Sequence, residues 1–211
     1  MTQLYDISRL ISSRLSLWPG DASFEVEQIL DLEKGDLVNL TNVCMGPHTG
    51  SHTDAPWHTE PEGGDIASVS LASYIGPAHV VTVDTQHGPI TPAAFAGYDL
   101  AGAERLLIHT WNSELPDDEW PEYFPYPTPE LADWLAGLGV ILLGVDMPSV
   151  DGFDSTDLAC HHRLNHHGIN IIERLVLKDV PDGIYELIAL PLKFEGLCGS
   201  PVRAVLRSLP A

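Results

Sequence analysis

Apolar positions along this chain alternate or run together far more often than they recur at helical spacing, which predicts a strand-rich protein. Tyr5-Asp6-Ile7-Ser8 with Leu10-Ile11 reads as a short strand and turn, and Trp18-Pro19-Gly20-Asp21 as a loop. Phe24, Val26, Gln28 and Leu30 alternate with Glu25, Glu27 and Ile29, an imperfect strand pattern; Val38 to Met45 reads as another, ending at Gly46-Pro47. His79 to Asp84 is short and β-branched. Leu106 to Thr110 and Val140 to Asp146 are continuous apolar runs, as expected of strands covered on both faces. Asp146 ends the second run, where such strands often deliver polar groups into a site. Ile169 to Leu177 and Tyr185 to Leu190 read as late strands.

Two helices interrupt this pattern. Thr128-Pro129-Glu130 supplies an N-cap, a proline at the first helical position and an acid in the first turn, with Gly137 or Gly139 as the stop. The second is expected from Ser155 or Thr156 to His167, stopped by Gly168. Many strands and few helices, with no repeat or linker, predict a mixed α/β fold forming one domain over residues 1–211.

Charge and composition narrow the function classes. The formal charge of −20 would repel a phosphate backbone, so nucleic-acid binding is not expected. No apolar run is long enough to span a bilayer, and the first residues lack the basic-then-apolar form of a signal peptide; a cytoplasmic protein without membrane contact is expected. Cys44, Cys160 and Cys198 form no C-x-x-C pair, which argues against a disulfide framework or a thiolate zinc knot and for buried free thiols.

Histidine is the informative residue. His48, His52 and His58 fall in one short stretch, and His161, His162, His166 and His167 in another. Imidazole and carboxylate suit zinc or manganese, and three such ligands with one open position make a catalytic arrangement. A straight strand would hold His48 and Asp54 about 20 Å apart at ~3.3 Å per residue, too far for one ion. A helix is disfavoured by Gly50, Ser51, Thr53 and Pro56. The workable geometry is a turn at Gly50 that returns His48 beside His52, with His52 and Asp54 sharing one face of an extended segment. Ala55-Pro56 then turns the chain so that His58 comes back towards the metal. His58 is expected outside the ligand set, because a free imidazole of pKa ~6.5 suits proton transfer.

In the second cluster, helix spacing puts His162 and His166 on one face, and His161 with Asn165 on another. His162 with His166 is the metal pair that spacing alone suggests, although histidines near a helix C-terminus are also favoured by the macrodipole. Glu173 lies amid Ile169, Ile171, Ile172, Leu175 and Val176; if buried it needs a cation or donors, and periodicity leaves its direction open.

Taken together, Trp18-Pro19-Gly20-Asp21, Pro47-His48-Thr49-Gly50-Ser51-His52-Thr53-Asp54-Ala55-Pro56 with His58, Asp146-Met147-Pro148-Ser149-Val150-Asp151, His161-His162, Glu173 and the tail from Tyr185 to Ala204 resemble the bacterial kynurenine formamidases, within the cyclase-like metal hydrolases. The resemblance implies a swivelling β/β/α fold, usually dimeric, and two zinc ions per subunit, with manganese or another divalent ion as the alternative. It implies His48, His52 and Asp54 around the first ion and Asp54 bridging to a second held by His161 and Glu173. This selects His161 over His162, and leaves His162, His166 and His167 without a role. His58 would be the general acid/base and Trp18 would line the substrate pocket. The implied reaction is hydrolysis of N-formyl-L-kynurenine to L-kynurenine and formate in tryptophan degradation. The alternatives are a manganese-dependent opener of a cyclic amide such as isatin and, in another class, a non-catalytic metal-binding protein.

Overall fold

The structure, a computed structural model, describes residues 2–209. Its strands are β1 (Leu4–Asp6), β2 (Glu25–Leu30), β3 (Leu40–Cys44), β4 (His52–Asp54), β5 (Ile75–Thr82), β6 (Gly88–Ile90), β7 (Arg105–His109), β8 (Pro125–Pro127), β9 (Leu142–Val145), β10 (Asn170–Glu173), β11 (Gly183–Ile188), β12 (Gly199–Pro201) and β13 (Val205–Ser208). The helices are α1 (Pro129–Leu138) and α2 (Ala159–His166). Nine strands form one sheet in the order β1-β13-β11-β5-β7-β9-β10-β4-β12. Its centre, β5-β7-β9-β10, is parallel, and both flanks are antiparallel.

The continuous apolar runs are explained by burial on both faces. Leu106, Ile108, Leu143, Val145 and Ile171 pack on one face with Leu131 and Leu135 of α1 and Leu164 of α2. Leu107, Leu142 and Ile172 point the other way, against Ile7, Tyr74, Leu187 and Leu206. By contrast β2 and β3 pair into a ribbon exposed along nearly its whole length, so its alternation marks no core.

Three expectations change, and one choice is narrowed. Strand β5 begins at Ile75 and includes Gly76 and Pro77, residues that argue locally against a strand. Of the two stops expected for helix α1, it is Gly139, left-handed at φ 87°, that closes it. Helix α2 starts only at Ala159, because Leu158 takes a left-handed conformation at φ 43° and breaks the run from Ser155. Of the three thiols only Cys160 is buried; Cys44 is exposed and Cys198 half-buried.

Asp146 does not reach into a site. Its buried carboxylate accepts the N–H and hydroxyl of Thr110, both at 2.7 Å, and those of Ser113, at 3.2 and 2.7 Å, tying the end of β9 to the turn after β7. Asp146→Ala strands these donors without an acceptor, an expected loss of about 3 kcal/mol. That corresponds to a melting temperature lower by roughly 6–12 °C, read by calorimetry. A shift under about 2 °C would show that the network carries no net stability.

Candidate active site

The turn at Gly50 is present. Gly50 is left-handed at φ 70°, and a Cβ there would stand 2.9 Å from Cγ1 of Ile11, so only glycine fits. The reversal sets the His48 and His52 rings edge to face, centroids 4.9 Å apart. Beyond it β4 lies between β10 and β12, with His52 opposite Glu173 and Asp54 opposite Gly199. Strand alternation therefore turns His52 and Asp54 to the same side. A short 3-10 turn at Pro56–His58 brings His58 back, its ring 4.2 Å from that of His48 and 5.9 Å from that of His161.

Asp54 is the centre of the cluster. Its Oδ1 lies 3.0 Å from Nδ1 of His48 and 3.4 Å from Nε2 of His52, while Oδ2 lies 3.4 Å from Nε2 of His161. Glu173 faces the same group, with Oε2 at 3.3 Å from Nε2 of His52 and Oε1 at 3.5 Å from Nε2 of His161. Both carboxylates are buried, which answers the open question of where Glu173 points.

The imidazoles are oriented from behind. Nδ1 of His52 donates to the Gly50 carbonyl at 3.0 Å, leaving Nε2 free towards the carboxylates. Nδ1 of His161 meets Asp151 Oδ2 at 2.6 Å, and the Asp151 carboxylate also accepts the backbone N–H groups of Cys160 and His161 at the start of α2. A carboxylate behind a histidine fixes its tautomer and raises its basicity as a ligand. On His48, Nε2 lies 3.2 Å from Sγ of Cys198, and the ring sits where a Cβ on Gly199 would fall, 2.8 Å from Cε1.

The donor set fits a divalent cation. Both Asp54 oxygens are buried without a hydrogen-bond partner although three imidazole nitrogens stand beside them. Ligands ~2.0–2.2 Å from a tetrahedral ion stand roughly 3.3–3.6 Å apart, close to the spacings found here. Electrostatics point the same way. Burial opposes charge on His52, yet its contacts with Asp54 and Glu173 raise the pKa to about 10. Burial likewise opposes charge on His161, and Asp151, Asp54 and Glu173 raise it well above its ordinary value. Two buried carboxylates thus draw positive charge into the cluster, a demand that a divalent ion meets directly.

His58 differs. Its pKa is lowered, chiefly by desolvation and then by the His48 and His161 imidazoles, over the opposing pull of Asp54 and Glu173. It is a neutral imidazole at pH 7 with one edge open to solvent. His48, His52, His58, His161 and Glu173 line a cleft of about 250 Å³ together with Trp18, Trp120, Pro148, Leu158 and Arg174. Trp18 packs edge-on to Trp120 at 5.6 Å and obliquely on Phe153 at 5.2 Å. A larger cleft, about 520 Å³, lies beyond the loop carrying Phe153 and contains neither His48, His52, Asp54 nor Glu173.

His162 and His166, the pair that helix spacing selects, are outside the cluster. His162 is exposed and bonded to Glu60 at 2.6 Å, while His167 bonds Asp133 of α1 at 2.6 Å. With Asn165 donating to Thr59 at 2.8 Å, His162 ties α2 to the segment just after His58. Asp151, Trp120, Arg174 and Cys198 escaped the sequence reading as site residues. Only Asp151 left a signal, as the last residue of the Asp146–Asp151 segment; the others reach the cleft through long-range packing.

This fold and site define a class, and the chain belongs to the putative cyclase family, whose family model matches residues 5–152. Within that family it is similar over nearly its full length to kynurenine formamidases. The protein of that name from Bacillus cytotoxicus is 41% identical over 97% of both chains, and that from Salinibacter ruber 44% identical over 98% of both. Among solved structures, a protein described as a predicted metal-dependent hydrolase from Bacillus stearothermophilus superposes with a TM-score of 0.85 at 26% identity, covering 99% of this chain and 100% of that one. Isatin hydrolase A from Labrenzia aggregata shares the fold, with a TM-score of 0.82 at 23% identity over 99% of this chain and 94% of that one.

Proposed function

We propose that this chain is an arylformamidase that hydrolyses N-formyl-L-kynurenine to L-kynurenine and formate, a step of tryptophan breakdown. The observation that carries the reading is Asp54, buried and unpartnered behind three imidazoles that line an aromatic-walled cleft. His48, His52 and Asp54 would hold one divalent ion, and His161 and Glu173 a second that shares Asp54. Zinc is the proposed metal and manganese the alternative. Such ions would supply Lewis-acid polarisation of the formyl carbonyl and make water acidic enough to attack near neutral pH.

The chain's own groups do the rest. Neutral His58 takes a proton as the formyl carbon is attacked and returns it to the departing arylamine nitrogen. Trp18 packs against the aryl ring, worth about 0.5–1.5 kcal/mol beyond area burial. Asp151 and the Gly50 carbonyl keep His161 and His52 turned to the ions. Trp18, Trp120, Pro148 and Leu158 displace water from around the reacting amide.

We also propose that residues 1–211 form one domain, since strands from both chain ends pair in the same sheet. A homodimer is supported by the β2–β3 ribbon, which exposes Val26, Ile29, Leu40 and Val43 and is marginal by itself in water. A cytoplasmic setting agrees with the described residues, in which no helix is long and apolar enough to cross a membrane.

The test measures metal content and formate release on one preparation. Expected are two zinc equivalents per chain and turnover of N-formyl-L-kynurenine far above any opening of isatin. Full activity without metal would end the metal-site reading, and manganese-dependent isatin opening without formate release would favour a cyclic amide substrate.

A further inference from the structure

The cleft contains one permanent cation that the hydrolysis itself leaves unused. Arg174 follows Glu173 directly, so the end of β10 sends one side chain to the cluster and the next to the wall. Its backbone is left-handed at φ 59°, a costly conformation for a residue with a Cβ and one that concentrates at functional sites. That backbone is held at both ends, since its N–H bonds the Met147 carbonyl at 3.1 Å and its carbonyl accepts from Ser51 Oγ at 2.6 Å.

The guanidinium is buried but not saturated. Nη1 donates to the Ser16 carbonyl at 2.6 Å and Nη2 to Ser16 Oγ at 3.2 Å, so only two of its five N–H groups have a protein acceptor among the described residues. It lies 5.2 Å over the Trp120 ring, which in turn packs on Trp18. Among the described residues no carboxylate is bonded to it, and a guanidinium keeps its charge at any physiological pH. The rest of the described cleft lining is aromatic, aliphatic, imidazole, acidic or, at Ser149, a hydroxyl, with no second permanent cation. A fixed, half-satisfied guanidinium beside an aromatic wall suits a planar anion carried on an aryl substrate.

We propose that Arg174 is a specificity residue that binds the α-carboxylate of an aryl-amino-acid substrate and so orients its amide over the cluster. The proposal rests on the hydrolase reading above and adds the part of the substrate that the cluster does not recognise. The experiment compares N-formyl-L-kynurenine with its α-carboxamide, a neutral analogue carrying the same formyl group. The wild-type chain should prefer the acid by about 10- to 100-fold in kcat/KM, mainly through KM. Arg174→Met should collapse that preference towards unity, and Arg174→Lys, which keeps the charge but not the fork, should restore part of it. Equal use of acid and carboxamide by the wild type, or an undiminished preference in both variants, overturns the proposal. Hydrolysis of neither compound by the wild type would overturn the hydrolase reading and this inference with it.

Discussion

Asp54→Asn is expected to leave the protein folded, with little or no bound metal and kcat lower by about 10³-fold or more. Asparagine has the same shape, so β4 keeps its place between β10 and β12. What changes is charge and donor character. Asp54 is the carboxylate that approaches His48, His52 and His161 together, at 3.0, 3.4 and 3.4 Å. The amide removes one of two buried anions and can set an N–H against nitrogens that should face a cation. Glu173 alone, with Oε1 already accepting the Val150 N–H at 2.9 Å, cannot hold both ions. Elemental analysis and formate release on the same sample decide the matter. Wild-type metal content with wild-type turnover would remove Asp54 from the centre of the site.

His58→Ala is expected to separate chemistry from binding. The ring stands beside the cluster on a different turn, and its lowered pKa makes it a proton acceptor at pH 7, not a charged partner of Asp54. Its removal should leave both ions in place and lower kcat by about 10²–10⁴-fold, with added imidazole recovering part of the rate. Loss of metal in this variant would make His58 a ligand; its nitrogen does lie within 4.8 Å of ligand atoms on Asp54 and His161. Near-normal turnover would take it out of the mechanism.

The two variants separate the two parts of the site, and the wall adds a third. On the proposed reading, Asp54 would govern whether cations are held, His58 whether a proton moves, and Trp18 with Arg174 which amide is brought to them. The carboxylate of Asp151 and the thiol of Cys198 sit behind His161 and His48, where a partner sets the orientation of a ligand without touching substrate.

The sequence by itself determined what depends on near neighbours. The reversal at Gly50 follows from a backbone that only glycine adopts there, and the shared face of His52 and Asp54 follows from strand alternation. The Thr128-Pro129 start of α1 is equally local. Tertiary structure alone decided what depends on pairing across long stretches of chain. Glu173 points inward because β10 pairs antiparallel with β4 in a register that sets it opposite His52, 121 positions away by their numbers. A slip of one residue would send it to the other face. His161 enters the site and His162 does not because Leu158 delays the helix and Asp151 caps its first turn, two facts that helix spacing cannot contain. Arg174, Trp120 and Cys198 meet the cluster only after the sheet closes around β4. Their roles come from burial and juxtaposition, and neither is written in the residues beside them.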